Sequence, residues 1–141
     1  MDSKAHAVWE GGLKDGTGRM STASGSLSET PYTFKYRFEG APGATPEEMI
    51  GAAHAGCFSM ALSGQLAGDG MTPERIETHA TVTLTMGDDG PSVTRSHLDV
   101  VVKLSGGDEK AFMAAAERAK AGCPISKLLD TEITMSARLA D

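Results

Sequence analysis

Apolar and polar side chains alternate along much of the chain, which predicts β-strands. The alternation is clearest in two segments, residues 78–86 and 92–104. A period of two is typical of a strand that buries one face. Between these segments the turn-forming letters GDDGP, at positions 87–91, predict a hairpin. Weaker versions of the pattern predict further strands over residues 5–10, 19–23 and 132–139.

Aromatic side chains are concentrated in another alternating segment, residues 32–38. Every second residue there is aromatic: Tyr32, Phe34, Tyr36 and Phe38. The segment is therefore predicted to be a strand with one aromatic face, and Arg37 is expected on its polar face.

The pattern changes after residue 44, where the sequence predicts a long helix. Thr45 can cap the helix, Pro46 suits the first helical position, and Glu48 completes a capping box with Thr45. Residues 49–67 are almost all apolar or small. A helix that is apolar around most of its circumference is expected to be buried on most sides.

A second helix is predicted over residues 108–121, with Gly122 as its end, and a short third helix from Pro124 to residue 129. Strands and helices thus occupy separate stretches of the chain. This arrangement indicates an α+β fold with antiparallel sheets and a long central buried helix. Four side chains of the second helix are expected to face inward: Phe112, Met113, Ala116 and Ala119.

Length and charge narrow the class of protein. With 141 residues the chain fits one domain, residues 1–141. The net charge of −6 and the scattered basic residues argue against nucleic-acid binding. The chain lacks the run of about 18 apolar residues that a membrane span needs, and its polar start does not resemble a secretory signal. We therefore expect a cytoplasmic protein, in which structural disulfides are rare.

The chain has two cysteines, Cys57 and Cys123. Cys57 lies in the middle of the long predicted helix and, taken alone, is a small buried hydrophobe. As a reactive thiol it would need a cation from elsewhere in the protein. Cys123 lies between Gly122 and Pro124, at a predicted helix start, where the helix dipole favours the thiolate. Their spacing does not show whether the two thiols meet.

Other residues offer weaker chemistry. His54 precedes Cys57 by three positions, so a metal site of His54, Cys57 and Cys123 is one alternative, and a packed histidine is another. Arg37 and Glu47 are, by default, a solvated arginine and a carboxylate that stabilises a helix start. A non-catalytic structural or ligand-binding dimer with inert cysteines also remains open.

Two blocks around the cysteines resemble the OsmC/Ohr family of hydroperoxide-reducing proteins, and specifically its osmotically inducible OsmC branch. The first block comprises residues 37–40 (RFEG) and 45–63 (TPEEMIGAAHAGCFSMALS), and the second comprises residues 119–126 (AKAGCPIS). Shorter matches at residues 8–11 and 132–134 extend the resemblance over essentially the whole chain.

The resemblance implies an OsmC/Ohr-like fold, an intertwined homodimer, and a cysteine peroxidase that needs neither cofactor nor metal. The enzyme would reduce organic hydroperoxides in defence against oxidative or osmotic stress. Cys57 would be the peroxidatic residue and would become a sulfenic acid. Cys123 would resolve the sulfenic acid as a disulfide, and a dithiol reductant, for which a lipoyl-type dithiol is a candidate, would restore both thiols. The apolar residues Met49, Phe58 and Met60 around Cys57 favour alkyl or aryl hydroperoxides over hydrogen peroxide.

The resemblance also assigns two charged residues. Arg37 would stabilise the Cys57 thiolate, and Glu47 would orient Arg37. The Ohr branch takes its arginine from an earlier turn, near Arg19 in this chain, but the match to the OsmC branch favours Arg37.

Helix geometry constrains where the charged pair acts. Ten positions separate Glu47 from Cys57, which is roughly 15 Å along a helix axis. Either the helix breaks near Gly51, or Arg37 and Glu47 reach the Cys57 of another subunit. The intertwined dimer of the family favours active sites shared between subunits.

Overall fold

The computed structural model describes residues 1–141 and divides into two compact units, residues 1–48 and 49–141. The first unit contains strands β1 (Ala5–Glu10), β2 (Thr17–Thr22) and β3 (Thr30–Tyr32) and helix α1 (Phe34–Phe38). Helix α2 (Pro46–Gly68) begins in the first unit and continues into the second. The second unit also contains β4 (Pro73–Gly87), β5 (Gly90–Leu104), α3 (Glu109–Gly122), α4 (Pro124–Leu128) and β6 (Glu132–Leu139).

No helix combines the length and the hydropathy that crossing a membrane requires.

In the first unit the three strands form an antiparallel sheet in the order β1-β2-β3. Gly18 of β2 lies opposite both Trp9 and Tyr32. The two aromatic rings cover it, with their centroids 5.5 Å apart. A side chain at position 18 would collide with the Tyr32 ring, so this site requires glycine.

The prediction of a strand over residues 32–38 is wrong, because most of the segment forms α1. The Thr33 hydroxyl accepts a hydrogen bond from the Tyr36 backbone N–H at 3.2 Å and caps this helix. Phe34 and Phe38 pack against each other with ring centroids 4.8 Å apart. Phe34 and Phe38 are four residues apart and so share a face of the helix, whereas the period of two over the whole segment is typical of a strand.

In the second unit the sheet order is β4-β5-β6. Strands β4 and β5 form the predicted antiparallel hairpin. Strand β6 pairs with β5 in parallel, which corrects the expectation of purely antiparallel sheets. The cause is the connection through α3 and α4, since a parallel pair needs a long crossover, here a helical one.

Helix α2 buries only one face in the single chain. The buried stripe repeats every four residues and packs with β5 and α3 in one core. The opposite face is exposed, and Met60 on it has a relative exposure of 81%. The prediction of a helix buried on most sides is therefore wrong for one chain. The exposed face is formed by Ala52, Ala53, Gly56, Met60, Ser63 and Gly64.

Helix α3 ends at Gly122, as predicted, but its inward face differs in one position. Ala115 is buried, whereas Met113 is 36% exposed, so the inward placement of Met113 is wrong. The buried positions 112, 115, 116 and 119 follow the helical spacing of three and four residues.

Candidate active site

The structure brings the two cysteines into contact. Their Sγ atoms lie 2.8 Å apart, and both residues are free thiols. Cys57 comes from the middle of α2, and Cys123 caps the N-terminus of α4, where the sequence placed it. A disulfide bond is about 2.05 Å long, so only a small displacement separates this contact from a covalent link. Cys123 is fully buried, whereas Cys57 is partly exposed.

The surroundings shift the two thiol pKa values in opposite directions. Burial raises the pKa of Cys57, and the neighbouring Cys123 thiol raises it further. A hydrogen bond at the Ile125 backbone acts in the opposite direction but does not cancel the rise. Burial also acts to raise the pKa of Cys123, but hydrogen bonds from Cys57 and from the backbone and hydroxyl of Ser126 outweigh it and lower that pKa. All these groups belong to the 49–141 unit. To become a thiolate, Cys57 needs an additional positive charge nearby.

Arg37 and Glu47 form an ion pair in the 1–48 unit. The Nη2 and Nε atoms of Arg37 donate to Oε1 of Glu47 at 2.6 and 2.9 Å. The Glu47 side chain is 11% exposed and that of Arg37 is 36% exposed. Arg37 lies in α1, and Glu47 lies in the first turn of α2, beside the capping box of Thr45 and Glu48 that the sequence predicted. The structure thus pairs the two charged residues that the resemblance selected.

An aromatic cleft of about 290 Å³ lies beside Arg37 in the same unit. The guanidinium also lies over the Phe38 ring, 5.1 Å from its centroid. The other side chains that line this cleft are mostly apolar: Trp9, Leu13, Tyr32, Thr33, Phe34 and Pro46.

Arg19, the alternative arginine, is engaged elsewhere in the first unit. It pairs with Glu10 at 2.9 Å and with Glu29 at 3.1 Å. All three side chains are well exposed. Arg19 therefore belongs to a surface ion-pair cluster on the sheet.

Helix α2 is continuous from Pro46 to Gly68. The alternative in which it breaks near Gly51 is therefore wrong. Phe58 is fully buried in the core, so its expected place beside the approach to Cys57 is also wrong. Met60 and Met49 of the same helix remain partly or largely exposed.

Sequence reasoning missed a buried polar network that joins α2 to β5 and α4. His54 is fully buried, and its Nδ1 and Nε2 atoms lie 2.7 Å from the Ser96 hydroxyl and 2.9 Å from the Ser126 hydroxyl. Burial lowers the pKa of His54 and keeps the ring neutral. In the sequence, the signal available for this network was the position of Ser126, three residues after Cys123 in a predicted helix start. Nothing in the sequence linked Ser96 to His54.

The metal alternative finds no support in this geometry. Both nitrogens of His54 are paired with serine hydroxyls, and no group of three His, Cys, Asp or Glu side chains is arranged to hold a metal ion. A zinc site requires at least three such ligands around one point.

The chain is similar to known proteins along nearly its whole length. A family model described as OsmC-like protein matches residues 38–138. The Peroxiredoxin OsmC of Escherichia coli (strain K12) is 48% identical over 139 residues, which cover 99% of this chain and 97% of that protein. The protein of the same name from Shigella flexneri matches to the same extent.

Solved structures show the same fold at low sequence identity. An OsmC-like protein from Mycoplasma pneumoniae has a TM-score of 0.76 at 13% identity, covering 100% of this chain and 99% of that one. The organic hydroperoxide resistance protein OhrB of Bacillus subtilis has a TM-score of 0.68 at 21% identity, covering 97% and 98%. The α+β class and the OsmC/Ohr-like fold are thereby confirmed. With the family match over residues 38–138 and the 48% identity to a curated relative, this chain belongs to the OsmC family.

Proposed function

We propose that this chain is a cysteine peroxidase that reduces organic hydroperoxides to alcohols in defence against oxidative and osmotic stress. The observation that carries the proposal is the 2.8 Å contact between the Sγ atoms of Cys57 and Cys123. Two thiols so close can form a disulfide without rearrangement of the fold. The name of the curated relative, a peroxiredoxin, and that of OhrB, a hydroperoxide resistance protein, support the same activity.

The proposed reaction has two sulfur steps. The Cys57 thiolate attacks the distal oxygen of the hydroperoxide, the O–O bond breaks, and the alkoxide leaves with a proton as the alcohol. Cys57 is left as a sulfenic acid. The Cys123 sulfur then attacks Cys57, the S–S bond forms, and the hydroxyl group leaves as water. A dithiol reductant, with a lipoyl-type dithiol as our candidate, returns both residues to thiols by exchange.

Exposure supports Cys57 as the residue that meets the hydroperoxide. Cys57 is partly exposed and Cys123 is fully buried, and oxidation by an external reagent requires access. The pKa shifts within the 49–141 unit favour the thiolate on Cys123 instead. We propose that Arg37 resolves this conflict by supplying the positive charge that Cys57 lacks. Its Nε and Nη2 atoms face Glu47, which leaves its remaining donors for a thiolate.

We further propose that the active form is a homodimer with shared active sites. The exposed face of α2 carries small and apolar residues, including Met60, as an interface between copies would. Continuity of α2 favours a partner subunit as the source of Arg37 and Glu47 for each Cys57. A cytoplasmic location, where dithiol reductants regenerate such pairs, is part of the same proposal.

Thiol counting tests the activity. Reduced protein receives one equivalent of cumene hydroperoxide or of hydrogen peroxide, and free thiols are titrated. We expect both thiols to disappear together with cumene hydroperoxide, and more slowly with hydrogen peroxide. Cys57→Ser should prevent the loss, whereas Cys123→Ser should trap Cys57 as a sulfenic acid. Thiols that resist both oxidants would instead favour the non-catalytic dimer, and faster loss with hydrogen peroxide would contradict the substrate class.

A further inference from the structure

Helix α4, which has Cys123 at its start, buries little apolar surface. It is five residues long (Pro124–Leu128), and Ser126 is its single buried residue. Leu128 is exposed, and Ile125 is only partly buried against the core. Helices of a globular domain are normally held through an apolar face. The inward side chain of α4 is instead a hydroxyl group, so a polar contact contributes to holding this helix in place.

His54 of α2 supplies that polar contact. The imidazole is fully buried, and its Nε2 atom lies 2.9 Å from the Ser126 hydroxyl oxygen. Its Nδ1 atom lies 2.7 Å from the hydroxyl oxygen of Ser96 in β5, which is also fully buried. Either neutral tautomer can donate to one serine and accept from the other, so both contacts form whichever nitrogen has the proton. His54 is thus fixed on β5 and holds α4 to α2.

Helices α2 and α4 meet through two side-chain contacts with matching spacing. Cys57 lies three positions after His54 in α2, and Ser126 lies three positions after Cys123. Residues three apart lie on one face of a helix. The Lys127 N–H donates to the Cys123 carbonyl at 3.0 Å and closes the turn of α4 that contains Ser126. The 2.8 Å contact between the two Sγ atoms and the 2.9 Å contact of His54 with Ser126 are therefore neighbours on the same pair of helices.

We propose that His54 is a positioning residue that holds α4 against α2 and so keeps Cys123 beside Cys57 for the resolving step. The inference rests on the proposed function only in that Cys123 is taken to be the resolving thiol. The hydrogen bond between His54 and Ser126 involves no sulfur atom, so it remains after oxidation has removed the Cys57 thiol. A helix that is held in place keeps the effective concentration of the second sulfur high.

The resolving step itself joins the two sulfur atoms. The Cys123 sulfur attacks the sulfur of the Cys57 sulfenic acid, the S–O bond breaks and the S–S bond forms. The sulfenic sulfur is reduced and the Cys123 sulfur is oxidised. The proton of the Cys123 thiol leaves with the hydroxyl group as water. The step needs the two sulfur atoms close together, which is the geometry that the second contact maintains.

Thiol–disulfide exchange measures the positioning without hydroperoxide. Reduced protein is equilibrated with glutathione disulfide, so that the two protein thiols form a disulfide and glutathione disulfide is reduced to two glutathione molecules. The equilibrium reports the effective concentration of one protein thiol at the other. Ser126→Ala removes the contact without adding bulk and should lower this concentration about tenfold, which raises the reduction potential of the pair by about 30 mV. An unchanged or lowered potential would overturn the proposal.

Two substitutions of His54 separate its contact with Ser126 from its contact with Ser96. The amide of a glutamine reaches the place of Nε2, so His54→Gln should keep the contact with Ser126 and largely preserve the potential. The amide of the shorter asparagine reaches the place of Nδ1, so His54→Asn should keep only the contact with Ser96 and shift the potential as Ser126→Ala does. An equal shift in the two His54 variants would contradict the role of the Ser126 contact.

Rapid kinetics distinguish positioning from a general loss of structure. When Ser126→Ala reacts with cumene hydroperoxide, Cys57 should form its sulfenic acid at the wild-type rate. The disulfide should then form about tenfold more slowly, because the second sulfur is held less firmly. The sulfenic acid lasts longer, so Cys57 should be over-oxidised to the sulfinic acid at lower hydroperoxide concentrations. Equal slowing of both steps would indicate a general loss of structure and would overturn the positioning role.

Ser59→Ala is the matched control, because Ser59 is a partly buried serine of α2 that bonds to Ala55 and Thr78 instead. It should leave the potential and both rates unchanged. If Ser126→Ala shifts the potential but the wild-type protein consumes no hydroperoxide, the proposed function fails and the positioning role stands. If hydroperoxide oxidises both wild-type thiols but Ser126→Ala has an unchanged potential, the positioning role fails and the proposed function stands.

Discussion

The thiols of Cys57 and Cys123 touch at 2.8 Å, yet the partly exposed thiol, Cys57, has a raised pKa and the buried thiol, Cys123, a lowered pKa. The two thiols differ in position, because Cys123 lies at the N-terminus of α4, while Cys57 lies in the middle of α2. Attack on a hydroperoxide needs an accessible thiolate. A cation that acts on Cys57 would reconcile exposure with reactivity, and the predictions below concern where that cation comes from.

Arg37→Met should slow the first step, the reaction of Cys57 with hydroperoxide, by about 10- to 100-fold at pH 7, because an adjacent cation lowers a thiol pKa by about 1–2 units. Without it, the raised pKa of Cys57 leaves the thiol protonated at neutral pH. Both rates should therefore rise with pH, and the profile of the variant should be displaced to higher pH by about 1–2 units. Stopped-flow kinetics with cumene hydroperoxide over a pH series measures both.

Arg19→Met is the control for this experiment. Arg19 is also an arginine paired with carboxylates, Glu10 and Glu29, but on the exposed sheet of the first unit. Its loss should leave the rate and its pH profile unchanged. If Arg19→Met were slowed while Arg37→Met stayed active, Arg19 would be the residue that stabilises the Cys57 thiolate.

Glu47→Gln should reduce kcat/KM by about tenfold, since a neutral amide holds a guanidinium less firmly than a carboxylate does. Glu47 accepts two hydrogen bonds from Arg37 and is largely buried, so solvent does not replace it. Glu48→Gln provides the comparison: this neighbour is exposed and bonds to the Thr45 backbone. Equal losses in the two variants would mean that only the helix start matters.

A mixture of an inactive variant, Cys57→Ser, and a slowed one, Arg37→Met, tests whether the active sites are shared. Cys57→Ser and Arg37→Met subunits are unfolded together and refolded as mixed dimers. If the arginine of one subunit serves the cysteine of the other, each mixed dimer has one intact site, and about a quarter of wild-type activity should return. If each site is built from one chain, no activity returns.

Met60→Lys should dissociate the dimer and lower the activity, because it places a charge in the exposed face of α2 where Met60 is 81% exposed in the single chain. Analytical ultracentrifugation and the peroxidase assay measure the two effects. Met86→Lys changes a methionine that is 68% exposed at the end of β4 and should alter neither. A fully active Met60→Lys monomer would contradict the dimer proposal.

The sequence by itself determined the elements that depend on neighbouring residues. The alternation over 78–86 and 92–104 gave the β4–β5 hairpin, and the Thr45–Glu48 capping box marked the start of α2. Glycine and proline around Cys123 marked the junction of α3 and α4. Each signal acts within a few residues, where sterics and hydrogen bonding decide the backbone. Over residues 32–38 the aromatic alternation predicted a strand, but most of the segment is a helix capped by Thr33.

Only the tertiary structure decided which side chains meet. Cys57 and Cys123 are 66 positions apart, and His54 lies 42 positions from Ser96 and 72 from Ser126. These contacts depend on how the buried stripe of α2 packs with β5, α3 and the start of α4 in one core. Packing between segments that are distant in the sequence produces no periodic pattern of residues. The pattern that placed each cysteine on its helix therefore could not show which groups surround the two thiols.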